Sequence, residues 1–337
     1  MTRSRRIAAV CVPALALAVF AGCAKKGGED AGGGAVKYPT RTLQLMAPAA
    51  PGGGWDLTAR NMQKTFKDAG LVSGGVEVYN VPGAAGTKGL ADLVTNRRGD
   101  PHHLMITGLV MVGGIVTNKS AVDLTQTTPI ATLTAESEVV AVPASSKYTN
   151  LKQLLDDWKA NPTSVKFGGG SAGGTDHILV GLLAKAAGID PKGMKYVAYA
   201  GGGEVKAGLL SGDLTAAVSG PSEFKDLVAA GKARLLAASG SKGEDIAGSK
   251  VPSVKEAGYD VELMNWRAVV AAPGIKSGER KAIIELIDKM HASDQWKQVL
   301  TQQGWADFYK SGDEAATFLA SESSRIKSVL TEAGLAG

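Results

Sequence analysis

Cysteine is nearly absent from this 337-residue chain: it occurs only at Cys11 and Cys23. Cys11 falls inside an N-terminal segment with the features of an export signal, so removal of that segment leaves Cys23 alone. That excludes a framework of intramolecular disulfides. Histidine is also scarce, with four in all. His102 and His103 are adjacent, which on a strand turns them to opposite faces, and neither His177 nor His291 has a Cys or His partner at ligand spacing. No metal centre is expected. Gly86, Thr87 and Lys88 lack the order and glycine spacing of a Walker loop, and no cofactor is called for. The formal net charge is only +5, and no basic stripe is interleaved with aromatics, so nucleic acid is not an expected partner. Long apolar runs are missing too. The run from Ile7 to Phe20 is too short to span a bilayer comfortably.

That run belongs to a recognisable leader. Arg3, Arg5 and Arg6 precede it and Ala21, Gly22 and Cys23 follow it, giving the basic, apolar and small-residue regions of a signal peptide over residues 1–22. The ending FAGC resembles a bacterial lipobox, with Phe20 in place of the usual Leu, which marks Cys23 as the residue to be lipidated. Loss of the leader takes three arginines with it and lowers the net charge from +5 to +2. Residues 23–38 contain AKKGGEDAGGGAV, a Gly-rich, charged stretch that reads as a flexible tether to a membrane surface.

Glycine, by contrast, is abundant, with 44 residues, and an apolar fraction of 44% supports sizeable cores. Its placement carries the functional signal. In RTLQLMAPAAPGGGWDLTARNMQKTF, a strand-like run over Leu43 to Ala47 is followed by Gly52, Gly53 and Gly54. A helix is predicted to open at Asp56, with Ala59, Met62, Phe66 and Ala69 on one face. A strand-to-helix turn of this kind offers unpaired amides and the positive end of a helix dipole to an anion, and glycine lets the anion come close. Taken alone, the turn reads equally well as a tight turn with Asp56 as N-cap. The same design recurs in TSVKFGGGSAGGTDHILVGLLAKAAGI, where a strand ending at Phe167 precedes a small-residue loop and an apolar helix face. Two such loops suggest two halves of one cleft.

Strand and helix alternate elsewhere at the spacing of βαβ units, predicting an α/β chain with mostly parallel sheets. Ile130 to Pro143 reads as extended chain carrying the polypeptide from one domain to the other. A third glycine turn is expected at Gly201 to Gly203, and the strand Ala233 to Ala238 is expected to lead back. The first domain is therefore discontinuous, with lobe 1 over 39–138 plus 240–337 and lobe 2 over 139–239.

Two enzyme readings compete with a binding role. Gly168, Gly170 and Gly173 satisfy G-x-G-x-x-G, but an exported chain lies outside the compartment where nicotinamide cofactors circulate. Gly169 to Gly173 also match G-x-S-x-G, making Ser171 a candidate nucleophile with Asp260 and His291 as partners. Against it, His291 lies on an amphipathic helix, and Pro51 stands where an oxyanion loop of that type has His.

PGGGWDLTAR, NVPGAAG, GGGSAGGTDH, YAGGGEVKAGLLSGDLTAAVSG and VPSVKEAGYDVELMNWRAVVAAPG together resemble the solute receptors of tripartite tricarboxylate transporters, the Bug-type extracytoplasmic receptors. The resemblance runs from about Tyr38 to Leu335. It implies a two-lobed, type II periplasmic-binding-protein-like fold that closes on a small di- or tricarboxylate or related acid and performs no catalysis. It also implies a monomer that docks on a multi-spanning permease. The ligand contacts it implies are Gly52, Gly53, Gly54, Trp55 and Asp56 from the first loop, and Gly170, Ser171, Ala172, Gly173, Gly174, Thr175 and His177 from the second. Gly202, Gly203 and Asp213 are placed near the cleft. Trp55, Ala268 and Glu204 depart from the residues common at their positions. The alternative role for the same receptor is as ligand-sensing partner of a membrane histidine kinase.

The leader generates its own test: Cys23→Ala should leave the protein unprocessed or released from the membrane. Fractionation with mass measurement decides, and recovery in the membrane fraction at unchanged mass would refute lipidation.

Overall fold

The computed structural model describes residues 38–199 and 202–336; the signal peptide, Cys23, all of the tether but Tyr38, and Gly201 lie outside the described residues. In chain order come β1 (Leu43–Ala47), α1 (Gly54–Asp68), β2 (Val76–Asn80), α2 (Thr87–Asn96), β3 (His103–Gly108), α3 (Leu109–Thr117) and β4 (Thr128–Ser137). Next are β5 (Val139–Pro143), α4 (Leu151–Ala160), β6 (Lys166–Gly169), α5 (Thr175–Ala187), β7 (Lys195–Ala198), α6 (Gly202–Ser211), β8 (Ala216–Ser219), α7 (Pro221–Ala229) and β9 (Ala233–Ala238). A small hairpin of β10 (Glu244–Ile246) and β11 (Ser249–Val251) leads to β12 (Met264–Ala271), α8 (Ser277–Ala292), α9 (Asp294–Gln303), β13 (Ala306–Ser311) and α10 (Gly312–Glu332).

Two main sheets result, with strand orders β13-β4-β12-β3-β1-β2 and β7-β6-β8-β5-β9. Both are mixed, with parallel βαβ units joined by antiparallel strands. The βαβ units do pair in parallel, β1 with β2 and β3, and β6 with β7 and β8. The strands that carry the chain between sheets run antiparallel to their neighbours: β12 to β3 and β4, β13 to β4, and β5 to β8 and β9. The expected extended run Ile130 to Pro143 is thus two strands in different sheets, with Glu138 between them. The return falls at Ser239, just after β9. The two crossings are tied together, since the Glu138 N–H donates to Ser239 Oγ at 2.8 Å and the Ser239 N–H donates to the Glu138 carbonyl at 2.8 Å.

Helix faces behave as the apolar spacing requires. In α1, Ala59, Met62 and Phe66 are fully buried, while Ala69 is the C-cap. In α4, Leu151, Leu154, Leu155 and Trp158 are buried, and Trp158 meets Phe167 of β6 with ring centroids 4.8 Å apart. α3 is different. Its sequence LVMVGGIVT is apolar all round, a pattern that carries no helical period and belongs to a helix enclosed by other elements. It packs between the Pro82 to Gly86 turn and the second glycine loop, because its glycines let both approach. A Cβ at Gly114 would stand 2.6 Å from Ala85 Cβ, and a Cβ at Gly113 would be driven into the Gly173 carbonyl.

Gly113→Ala should therefore destabilise the fold by roughly 1–3 kcal/mol through overpacking. Gly203→Ala, where an added Cβ meets nothing within 4 Å in a helix, should be neutral or stabilising. Chemical denaturation of both variants provides the check, and equal midpoints would contradict the contact.

Candidate anion-binding site

Both glycine loops close on an aspartate in the first turn of the helix that follows. In the first loop the helix starts at Gly54 with Gly53 as N-cap, so Asp56 is the third helical residue and not the cap. Its carboxylate folds back: Oδ2 accepts the Gly52 N–H at 2.8 Å and Arg60 Nε at 2.9 Å, and Oδ1 accepts Asn80 Nδ2 at 2.9 Å. Gly52 adopts φ +83°, the left-handed region that suits glycine, and this aims its amide inward. Burial acts to raise the Asp56 pKa, but the hydrogen bonds from Arg60, Gly52 and Asn80 outweigh it and hold the group at about 2. Among the described residues the amides of Gly54, Trp55 and Asp56 find no acceptor.

The second loop repeats the scheme with a different charge balance. Gly170 N–H donates to Asp176 Oδ2 at 2.6 Å, Gly173 N–H donates to His177 Nδ1 at 3.1 Å, and Gly174 N–H donates to the Ser171 carbonyl at 2.9 Å. Tyr196 Oη donates to the Gly170 carbonyl at 2.9 Å, and its ring stacks on His177 at 4.0 Å. Burial keeps His177 neutral, pushed down to about 4. Ser171 and Ala172 are exposed, and the amides of Ser171, Ala172, Thr175 and His177 have no acceptor among the described residues. Thr175 Oγ1 is buried without a partner.

The loops communicate through β4 and β12, whose alternate residues share a face. Arg267 Nη2 pairs with Glu136 Oε1 at 2.7 Å, and Asn265 Nδ2 donates to Glu138 Oε1 at 3.1 Å. Glu138 is buried and its Oε2 finds no ordinary donor. Burial, together with the facing Asp176 carboxylate and Glu136, raises its pKa well above the usual range. Asp176 is raised to about 6 by burial, with the Gly170 amide and a hydrogen bond from Glu138 acting in the opposite direction. The two carboxyl groups titrate as a pair, and burial favours their protonated forms. A polar chain thus runs from the α1 end, through Arg267, Glu136, Asn265 and Glu138, to Asp176 and the second loop.

A cavity of about 360 Å³ opens beside the first loop, lined by Gly54, Trp55, Asn265 and Arg267 and by apolar residues that include Pro48, Pro82 and Val110. None of residues 170–177 lines this cavity. Arg267 and Asn265 went unnoticed in the sequence because β12 reads simply as a strand. The available signal was their i, i+2 spacing beside Trp266.

The third glycine run is not a turn at Gly202 and Gly203: both lie in the first turn of α6, with Gly202 packed against Glu223 of α7. Asp213 is set apart from Gly170. It follows α6, a helix about 15 Å long, and is exposed at the edge where β8 begins, whereas Gly170 follows the opposite end of the parallel neighbour β6. The hydrolase triad is not assembled either: His291 Nε2 meets Asp307 Oδ1 at 2.9 Å and stacks on Tyr309 at 3.8 Å. His102 and His103 do not diverge, since both approach Asp100, at 3.6 and 2.7 Å. Among the described residues no group of three His, Cys, Asp or Glu could hold a metal ion, and no helix is long and apolar enough to cross a membrane.

Two mixed α/β sheets joined by paired crossings, with glycine loops leading into helix N-termini, define the class of two-lobed solute-binding proteins. The sequence model described as tripartite tricarboxylate transporter family receptor (TctC) matches residues 116–335, and the chain belongs to that family. BugT of Bordetella pertussis is 26% identical over 309 residues, covering 88% of this chain and 90% of its own. The fold is shared with a TctC solute-binding protein from Polaromonas solved without ligand, at TM-score 0.73 and 20% identity over 88% of this chain and 99% of that one. It is also shared with a Rhodopseudomonas palustris protein solved with adipate, at TM-score 0.72 and 21% identity over 88% and 99%.

The acid pair has a pH signature. Asp176 has a folded-state pKa of about 6 against an ordinary 3.8, so its contribution to stability is complete below the lower value and is lost as pH rises through the upper. Asp56 acts oppositely: its contribution is present above 3.8 and is lost as pH falls through about 2. Asp176→Asn should flatten the decline in stability between about pH 4 and 6 in urea unfolding, and an unchanged slope would contradict the raised Asp176 pKa.

Proposed function

We propose that this receptor binds a small organic carboxylate outside the cytoplasm and delivers it to the multi-spanning permease of a tripartite tricarboxylate transporter, without catalysis. It is held at the membrane by a lipid on Cys23. In this reading lobe 1 comprises 39–138 with 240–337 and lobe 2 comprises 139–239, and ligand retains the closed state because it binds that state better than the open one. The observation that carries the proposal is the pair of helix N-termini with unaccepted amides, at Gly54 to Asp56 and at Thr175 and His177, the second beside the partnerless Thr175 hydroxyl. Such groups are stabilised by an anion, and burial makes their lack of partners costly. The adipate bound by the Rhodopseudomonas palustris protein is an acid of the proposed class. Ser171 serves as a hydrogen-bonding group, because no histidine is placed to activate it.

The test is a thermal-shift screen of di- and tricarboxylates, aromatic acids and amino acids on the tether-free domain, followed by calorimetry. Ligand at about 100 times its Kd should stabilise the wild type by roughly 2.7 kcal/mol. Thr175→Val should keep or improve intrinsic stability, since it removes an unpaired hydroxyl, while losing part of the ligand-induced shift. Gly170→Val should abolish the shift. A screen in which no acid stabilises the protein would defeat the proposal.

A further inference from the structure

A cation stands where a helix dipole favours an anion. The Arg267 guanidinium lies against the first residue of α1: a Cβ at Gly54 would come within 2.9 Å of Nη2 and 3.3 Å of Cζ. The positive end of a helix repels a guanidinium, and the neighbouring amides of Gly54 and Trp55 find no acceptor among the described residues. Asp56 does not supply the missing negative charge, because its oxygens are already engaged by Gly52, Arg60 and Asn80. Glu136 supplies part of it, through Nη2. Arg267 is only 8% exposed, lies 4.9 Å over the Trp305 ring, and leaves Nη1 buried with no partner. At the α5 end the side chains facing the second loop are carboxyl groups, Asp176 and Glu138, and not a guanidinium. The 360 Å³ cavity that Arg267 lines is otherwise largely apolar, with Trp55 and Val110 among its walls.

We propose that Arg267, with the amides of Gly54 and Trp55, is the anion subsite that fixes the charge class of the solute. It takes one carboxylate of a small organic acid whose body lies against Trp55. Glu136 holds the guanidinium in place and competes with that carboxylate for it. The assignment rests on the receptor reading and sharpens it, since amides alone accept neutral and anionic ligands alike, whereas a desolvated guanidinium with a free Nη1 favours an anion.

The experiment is calorimetry and thermal shift on the tether-free domain with two matched pairs of probes, adipate with adipamide and benzoate with benzamide. Wild type should bind at least one of the acids and neither amide. Glu136→Gln, which removes the competitor, should bind that acid several-fold more tightly. The double variant Arg267→Met with Glu136→Gln leaves no unpaired buried charge, and should weaken acid binding by about thirtyfold or more while still unfolding cooperatively. Equal affinity in the double variant and the wild type, or equal binding of an acid and its amide, would overturn the Arg267 subsite while leaving the receptor reading intact. Failure of adipate and benzoate alike would also overturn it. The receptor reading falls only if the wider acid screen fails too.

Discussion

The site depends on the reciprocal hydrogen bonds between Glu138 and Ser239, where the chain leaves one sheet and comes back from the other. Two backbone crossings bonded to each other act as a short, defined joint. Because Glu138 directly follows β4, the joint continues the alternation that places Glu136 beside Arg267 and Glu138 beside Asn265. Ser239 Oγ in turn donates to the Leu263 carbonyl, which ties the approach to β12 into the same joint.

The N-termini of α1 and α5 are alike in backbone and differ in the side chains that face them. Each uses a first-turn aspartate to accept a glycine amide from its loop, which shapes the loop and leaves the next amides unpaired. At α1 the aspartate is compensated by Arg60, and a second cation, Arg267, faces the cavity. At α5 the aspartate is desolvated and faces the Glu138 carboxyl group. A buried ion pair such as Arg267 with Glu136 adds little net stability, because desolvation offsets the Coulombic gain. Its position against a helix N-terminus costs more still.

Much of this was legible in the sequence. The strand from Leu43 to Ala47 and the buried faces of α1 and α4 followed from apolar spacing. So did the two glycine loops ahead of helices, because each is local: an amphipathic period or a glycine run specifies its own element. The family resemblance followed from the same loops in their order along the chain. What stayed hidden was α3, whose unbroken apolar run has no period, together with the mixed sheets and the placement of Asp213 away from Gly170. Gly202 and Gly203 looked like a turn because glycine disfavours helix interiors, but packing against Glu223 admits Gly202 to a first helical turn.

The sequence by itself determined the elements, their order and the presence of two anion-ready helix starts, since backbone conformation and helix dipoles depend on near neighbours. Only the tertiary structure decided which charges those helix starts would meet. Arg267 reaches Gly54, and Glu138 reaches Asp176, across more than two hundred and nearly forty residues of chain respectively. Such pairings are set by strand register in an antiparallel return that no local pattern encodes. Electrostatic interactions inside a protein are strong only where packing excludes water, so their identity depends on the packed fold and not on the sequence neighbourhood.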